Sequence, residues 1–494
     1  MEMKVMATSI AILLSLAITA SCDDNLLFDV RNYLSTVTRY DQAISVASNR
    51  FGPSVVPDKC SPIHLNLVAR HGTRSPTKKR MRELDRLSSQ LKVLAKQAKD
   101  QGKSSNKVPK WILNWESPWK YKTKGGELIN IGEDELYHFG IRVRERFPKL
   151  FEEDYHPDVY SIRATQVPRA SASAVAFGMG LFSEKGTIGP GRHRAFSVIS
   201  ESRASDTMLR FFDCCENYKS YKLRQEPAVD KMKEPILDEI SSALVNRYGL
   251  NFSRQDTASL WFLCKQEACL MNVTDRACAL FSSSEVAMLE WTDDLEGFIL
   301  KGYGNSINYR MGLPLLRDIV DSMEQAITAE NERSLPGSYE KARLRFAHAE
   351  TLVPLSCLLG LFLEGSEFKK IQREETLELP PQPPQDRYWK GSHVAPFAGN
   401  NMLALYSCEA HPQNKHFVQV LHNEQPVPLP GCNNTNFCPF DVFKEQIVAP
   451  HMKHDFSMIC ASMRPPRRAS ALSKLLSLLW GVFSSGGDRM KEDL

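Results

Sequence analysis

The chain has 494 residues, is 42% hydrophobic and 24% charged, and carries a formal net charge of +4. That balance belongs to a folded chain with enough apolar residues for a large core, and it excludes disordered and collagen-like classes. The charge is only mildly basic and by itself argues neither for nor against nucleic acid; no such partner is expected, and an anionic ligand needs a local basic pocket.

Residues 1–22 read as a signal peptide: Lys4, an apolar run from Ile10 to Ile18, then the small residues Ala20 and Ser21. The run is too short to span a bilayer comfortably. Cleavage after Ala20 or after Cys22 are both open. From Ile63 apolar and polar residues alternate into Val68 and Ala69, the pattern of a strand with Arg70 at its end. Leu84, Leu87, Leu91 and Leu94 switch to helical spacing, residues 99–110 read as an exposed loop, and Leu136, Phe139, Val143 and Phe147 make a second helix. A strand over 159–164 leads into a small-residue helix over 170–176. Residues 344–347 form a third strand, running into His348 and a helix carrying Leu355, Leu358, Leu359 and Phe362. Three strand-to-helix junctions predict an α/β sheet whose ligand binds beyond the strands' carboxyl ends.

The expected organisation is one domain over 23–465. Its α/β core covers about 58–82, 155–211 and 340–465, with mainly helical insertions at about 83–154 and 212–335. Residues 378–386 are a proline-rich surface loop, and strands resume at 402–407 and 417–421. Beyond 465, Leu472, Leu475, Leu476, Leu479 and Phe483 line one helical face. It either packs on the domain or touches a membrane surface over 472–483, and it is too short for a transmembrane span.

Cysteines cluster at Cys214 and Cys215, at Cys264, Cys269 and Cys278, and at Cys432 and Cys438, which suits an oxidising compartment and disulfides. No pair has C-x-x-C spacing, so no metal site is expected. Asn251, Asn272 and Asn433 head N-glycosylation sequons. The chain ends Lys491-Glu492-Asp493-Leu494, a permutation of the tail that retrieval receptors recognise. Signal, sequons and tail point to the endoplasmic reticulum lumen, with some secretion.

The segment with most chemistry is Arg70-His71-Gly72-Thr73-Arg74-Ser75-Pro76. It sets a nucleophile-capable imidazole between two guanidinium forks that match phosphate oxygens bidentately. Gly72 is expected to let the backbone approach the ligand. Five fixed residues, each at roughly one in twenty, arise by chance in about 500 windows on the order of 10⁻⁴ of the time. The bland alternative, a solvated basic turn beside a core histidine, is correspondingly disfavoured.

This run resembles the signature of the histidine acid phosphatase family, which includes phytases. The resemblance covers residues 58 to 465 and implies a phosphoglycerate-mutase-like α/β sandwich core with an inserted helical subdomain. It implies His71 as phosphoryl acceptor and Arg70 and Arg74 as phosphate ligands. Arg169, followed by small residues opening a helix, resembles the family's third arginine segment, with Arg163 a nearby competitor. Where most members have His-Asp, this chain has His348-Ala349-Glu350. That triplet resembles the multiple inositol polyphosphate phosphatase branch, and implies that His348 contacts the phosphoryl group and Glu350 is the proton donor.

The expected activity is hydrolysis of phosphomonoesters of inositol hexakisphosphate and lower inositol polyphosphates, with 2,3-bisphosphoglycerate a second substrate by resemblance, and no cofactor. Arginines stabilise the charge-dispersed transition state, neutral His71 attacks, and a carboxyl among arginines has a lowered pKa. Thr77, Lys78 and Lys79 are candidate contacts for further phosphates, or simply a solvated helix start. The competing readings are a broad-specificity lumenal acid phosphatase, a non-catalytic phosphate-ligand receptor, and a mutase-like transferase that the secretory features disfavour.

Overall fold

The alternating run after Ile63 becomes β1, Cys60–Arg70, whose last seven residues are all buried. A strand covered on both faces is what such an apolar stretch requires. In the computed structural model, which describes residues 28–50, 56–101, 107–409 and 415–461, β1 lies inside a mixed seven-stranded sheet. The other strands are β2 (Tyr160–Ala164), β3 (Ala342–Ala347), β4 (Asn400–Cys408), β5 (His416–His422), β6 (Gln425–Pro426) and β7 (Cys438–Pro439). Their order is β2-β3-β1-β4-β5-β6, with β7 on β5. β3 is parallel to both β1 and β2, and β4 is antiparallel to β1.

Eight longer helices matter here: α1 (Lys78–Asp100), α2 (Asn130–Arg146), α3 (Pro168–Leu181), α4 (Glu216–Tyr248), α5 (Arg254–Met271), α6 (Ser283–Lys301), α7 (Leu313–Asn331) and α8 (Ala349–Leu358). On one sheet face, Leu136 and Phe139 of α2 and Phe177 of α3 pack with Leu65, Leu67 and Ala69. On the other, Leu316 and Ile319 of α7 and Leu355 of α8 pack with Val68, Leu403 and Val418. The period-two alternation of β1 thus sorts its side chains between two cores. A third core joins Leu84, Leu87 and Leu91 of α1 to Leu244 of α4, Leu260 of α5 and Leu289 of α6. Capping boxes at Ser253 and Ser282 start α5 and α6.

The expected 83–154 insertion divides in two. α1 joins the helical unit with α4 to α6, whereas α2 covers the sheet as part of the α/β core. α1 also runs on to Asp100, inside the expected 99–110 loop. Disulfides join Cys60 to Cys408, Cys215 to Cys460, Cys264 to Cys278 and Cys432 to Cys438. Two of these bridges lie within a cluster, Cys264 to Cys278 and Cys432 to Cys438, whereas Cys215 pairs outside its own and Cys214 and Cys269 keep free thiols. Asn251, Asn272 and Asn433 are all exposed. Among the described residues no helix is long and apolar enough to cross a membrane. The 1–22 leader, the 472–483 face and the 491–494 tail lie outside the described residues.

Candidate active site

Strand register brings the site together. Arg70 stands opposite Ala347, and the His71 N–H donates to the Ala347 carbonyl at 3.0 Å. On the other side of β3, the Thr165 N–H donates to the Phe346 carbonyl at 3.0 Å. The residues that follow β1, β2 and β3 therefore leave the sheet side by side, at its carboxyl edge.

His71 is buried, and its Nδ1 lies 2.9 Å from the Gly72 carbonyl oxygen. A carbonyl only accepts, so Nδ1 carries the hydrogen and the Nε2 lone pair is left for other chemistry. Burial pushes the ring's pKa well below the usual imidazole value, and Arg169, Arg70, His348 and Arg74 push it further. The ring is held neutral, as a nucleophile must be.

Arg70 Nη1 donates to the carbonyls of Thr36 and Ala395, and its guanidinium lies 4.5 Å from the Phe397 ring centroid. Arg74 Nη1 donates to the Ser75 carbonyl at 2.9 Å. The Nε atoms of Arg70 and Arg74 are buried and have no hydrogen-bond partner among the described residues. Buried donors of this kind suit an anion that brings its own acceptor oxygens. Burial lowers Arg70, Arg74 and Arg169 to about 10 each, still fully charged at neutral pH. Arg169, at the start of α3, has a field that reaches both His71 and His348, as does that of Arg70; its competitor Arg163 lies within β2.

His348 precedes α8 as its N-cap. Its Nε2 is 2.9 Å from Thr165 Oγ1 and accepts from Arg210 Nη1 at 3.1 Å. Arginine has only donors, so the neutral ring carries its hydrogen on Nδ1. Burial, with Arg169 and Arg210, holds His348 well below the usual imidazole range. Glu350, in the first turn of α8, is buried, and its Oε1 lies 2.7 Å from Lys301 Nζ. Burial alone would raise this carboxyl, but the Lys301 ammonium beside it outweighs that and holds the group far below the carboxylate range.

The loop after His71 is clamped from behind. Glu135 of α2 accepts from the Thr73 N–H at 2.7 Å, from Thr73 Oγ1 at 2.8 Å and from the Tyr40 N–H at 3.1 Å. Gly72 serves a different purpose from the one expected. A Cβ there would lie 2.3 Å from the Gly132 carbonyl oxygen, so its absence admits α2 rather than a ligand. A Cβ on Gly126 would lie 3.7 Å from Arg169 Nη1 and 3.9 Å from Thr77 Cγ2, so Thr77 borders the cradle on the Arg169 side. Lys78 and Lys79 are exposed on the first turn of α1.

Lys301, Arg210 and Glu135 escape sequence reasoning. Each sits far along the chain from the residue it contacts, and Glu135 reads as an ordinary acidic residue in a helix's first turns. Only the close glycine spacing around Gly125, Gly126 and Gly132 hints that backbone is crowded there.

Residues 63–423 match the histidine phosphatase superfamily (branch 2). The chain is 27% identical over 420 residues to multiple inositol polyphosphate phosphatase 1 of Homo sapiens, a match covering 80% of this chain and 82% of that one. Its fold is similar to the phytase from D. castellii, with TM-score 0.65, 16% identity and coverage of 90% and 91%. It is also similar to the Bifidobacterium longum multiple inositol polyphosphate phosphatase in complex with inositol hexasulfate, with TM-score 0.61, 18% identity and coverage of 85% and 98%. A neutral histidine among buried guanidinium groups, on a chain matched over most of its length, leads to one conclusion: this protein belongs to branch 2 of the histidine phosphatase superfamily and is a phosphatase.

Proposed function

We propose that this phosphatase removes phosphates from inositol polyphosphates, from inositol hexakisphosphate downwards, and acts on 2,3-bisphosphoglycerate as a second substrate. The reaction runs through a phosphohistidine on His71. The observation that carries this reading is the His71 tautomer: Nδ1–H is tied to the Gly72 carbonyl, leaving Nε2 to attack phosphorus. Arg70, Arg74 and Arg169 hold the transferring phosphoryl group and offset its dispersed charge, the main catalytic task in such a transfer. His348 positions the same group. The Nε2–P bond forms as the ester P–O bond breaks, and Glu350 gives its proton to the departing alkoxide. In the second half Glu350 takes a proton from water, whose oxygen attacks phosphorus and releases His71.

Thr77, Lys78 and Lys79, at the rim, are assigned to phosphates not being transferred. The names of the human and bacterial relatives support the substrate class. The disulfides and exposed sequons support a lumenal site of action. Within it, retention in the endoplasmic reticulum through the 491–494 tail, and N-glycosylation at Asn251, Asn272 and Asn433, are part of the same reading.

The test is phosphate release from inositol hexakisphosphate across pH in the presence of a chelator, comparing wild type, His71→Ala and Glu350→Gln. Release that persists in chelator, vanishes in His71→Ala and falls steeply in Glu350→Gln is the expected result. Binding without release would favour a receptor, and equal turnover of p-nitrophenyl phosphate would favour a broad acid phosphatase.

A further inference from the structure

Paired with Lys301, Glu350 is not ready to donate a proton. The two side chains, Glu350 and Lys301, are 11% and 19% exposed. Lys301 does not come from the sheet. It is the last residue of α6, so the helical insertion sends a cation to the catalytic carboxyl. Glu296, on the same helix, is itself bound to Lys233, and among the described residues Glu350 is the ion-pair partner of Lys301.

We propose that Lys301 is a substrate-sensing counter-ion. A second phosphate of a polyphosphorylated substrate draws its ammonium away from Glu350, and the released carboxyl takes up the proton that it then gives to the leaving alkoxide. This rests on the inositol polyphosphate reading given above.

The charges around Glu350 carry the argument. They are Arg70 at the end of β1 and Arg74 beyond it, Arg169 on α3 and Lys301 on α6, with the neutral His348 ring at the start of α8 and the Tyr218 hydroxyl of α4 also in range. The transferring phosphoryl group engages the arginines and cancels much of their pull. Lys301 then remains as the cation holding Glu350 ionised. A phosphate carries more negative charge than a carboxylate, and a lysine's flexible stem lets its three donors move to it. With the ammonium gone, burial favours the neutral carboxyl. A monoester fills the arginine cradle but leaves Lys301 where it is. Selectivity for polyphosphates then arises in turnover as well as in binding.

The proton account closes. Glu350 gains one proton from solvent on binding and passes it to the alkoxide oxygen as the ester bond breaks. It regains one from the attacking water, and loses it to solvent when phosphate leaves and Lys301 returns.

Titration calorimetry with inositol hexasulfate, in buffers of different ionisation enthalpy near pH 6, tests the proposal. Sulfate groups stay ionised, so any proton uptake belongs to the protein. Uptake approaching one proton is expected in wild type, retained in His71→Ala and mostly lost in Glu350→Gln. In parallel, Lys301→Met should lower the ratio of hexakisphosphate to inositol monophosphate turnover by at least about tenfold, by slowing the first and speeding the second. A merely structural lysine would slow both alike, and that result would overturn the proposal. Uptake that is absent in wild type, or unchanged in Glu350→Gln, would also overturn it even if Lys301→Met fails to fold. Wild type that releases phosphate from inositol hexakisphosphate without proton uptake sinks this inference alone; wild type that releases none sinks the underlying reading.

Discussion

The imidazole rings of His71 and His348 stand 5.6 Å apart, edge to face, although they lie far apart along the chain. What sets that distance is strand pairing. Arg70 faces Ala347 in parallel register, so the next residue on each strand reaches the same edge of the sheet. A one-residue slip of β3 would turn its side chains to the other face and separate the pair.

Replacing the nucleophile is the most direct prediction. His71→Asn keeps much of the shape but has no ring nitrogen to attack phosphorus. Turnover should fall on the order of 10³-fold or more. Wild type incubated with radiolabelled substrate and quenched in alkali should carry protein-bound phosphate that is stable to base and labile to acid, and the variant should carry none.

The clamp behind the loop makes a second prediction. Glu135→Gln would place an amide donor against one of three donors that the carboxylate now satisfies, at Thr73 N, Thr73 Oγ1 and Tyr40 N. Losing one or two such charge-assisted bonds costs roughly 1.5 to 3 kcal/mol. Inhibition by inorganic phosphate should weaken by about 10- to 100-fold, because the loop carrying Arg74 is no longer held.

Crowding between the loop and α2 makes a third. A Cβ at Gly132 would lie 2.2 Å from the Thr73 carbonyl oxygen and 2.6 Å from its nitrogen. Both obstacles are backbone, so no side-chain movement relieves them. Gly132→Ala should cost about 3 kcal/mol, at the upper end for overpacking. Denaturant melts should show the lost stability, and kcat should fall with it.

Acid stability tests the buried histidines. His422 is buried and held down to about 4 by desolvation, against an ordinary 6.5. The unfolded chain therefore binds a proton between these values that the folded chain refuses. The stabilisation is complete above pH 6.5 and is lost as pH falls toward 4. Removing the ring in His422→Gln should shrink the difference in unfolding free energy between pH 7 and pH 5 by about 2 kcal/mol.

Much of this was readable in advance because it is local. β1, β2 and β3 announce themselves through alternation, and the first turns after them carry Arg70, His71, Arg74, Arg169, His348 and Glu350 within a few residues of a strand end. A phosphate cradle built at strand ends leaves its residues close together in sequence, and the glycine and arginines sit at spacings that chance rarely produces. Domain limits were less legible. α1 and α2 have similar helical periodicity, yet one covers the sheet and the other joins the helical unit, since periodicity reports that a face is buried and not against what.

By itself the sequence determined the strands, the order of the elements, and a histidine flanked by arginines whose chemistry is phosphate chemistry. Tertiary structure alone decided that Gly72 makes room for α2, that Cys60 pairs with Cys408, and that Lys301, Arg210 and Glu135 reach the site. The physical reason is the range of the forces. Backbone propensity and side-chain periodicity act over a few residues, whereas an ion pair depends only on distance in space. That distance is set once the sheet and the helical insertion have packed, and only then does the lysine ending α6 meet the glutamate in the first turn of α8.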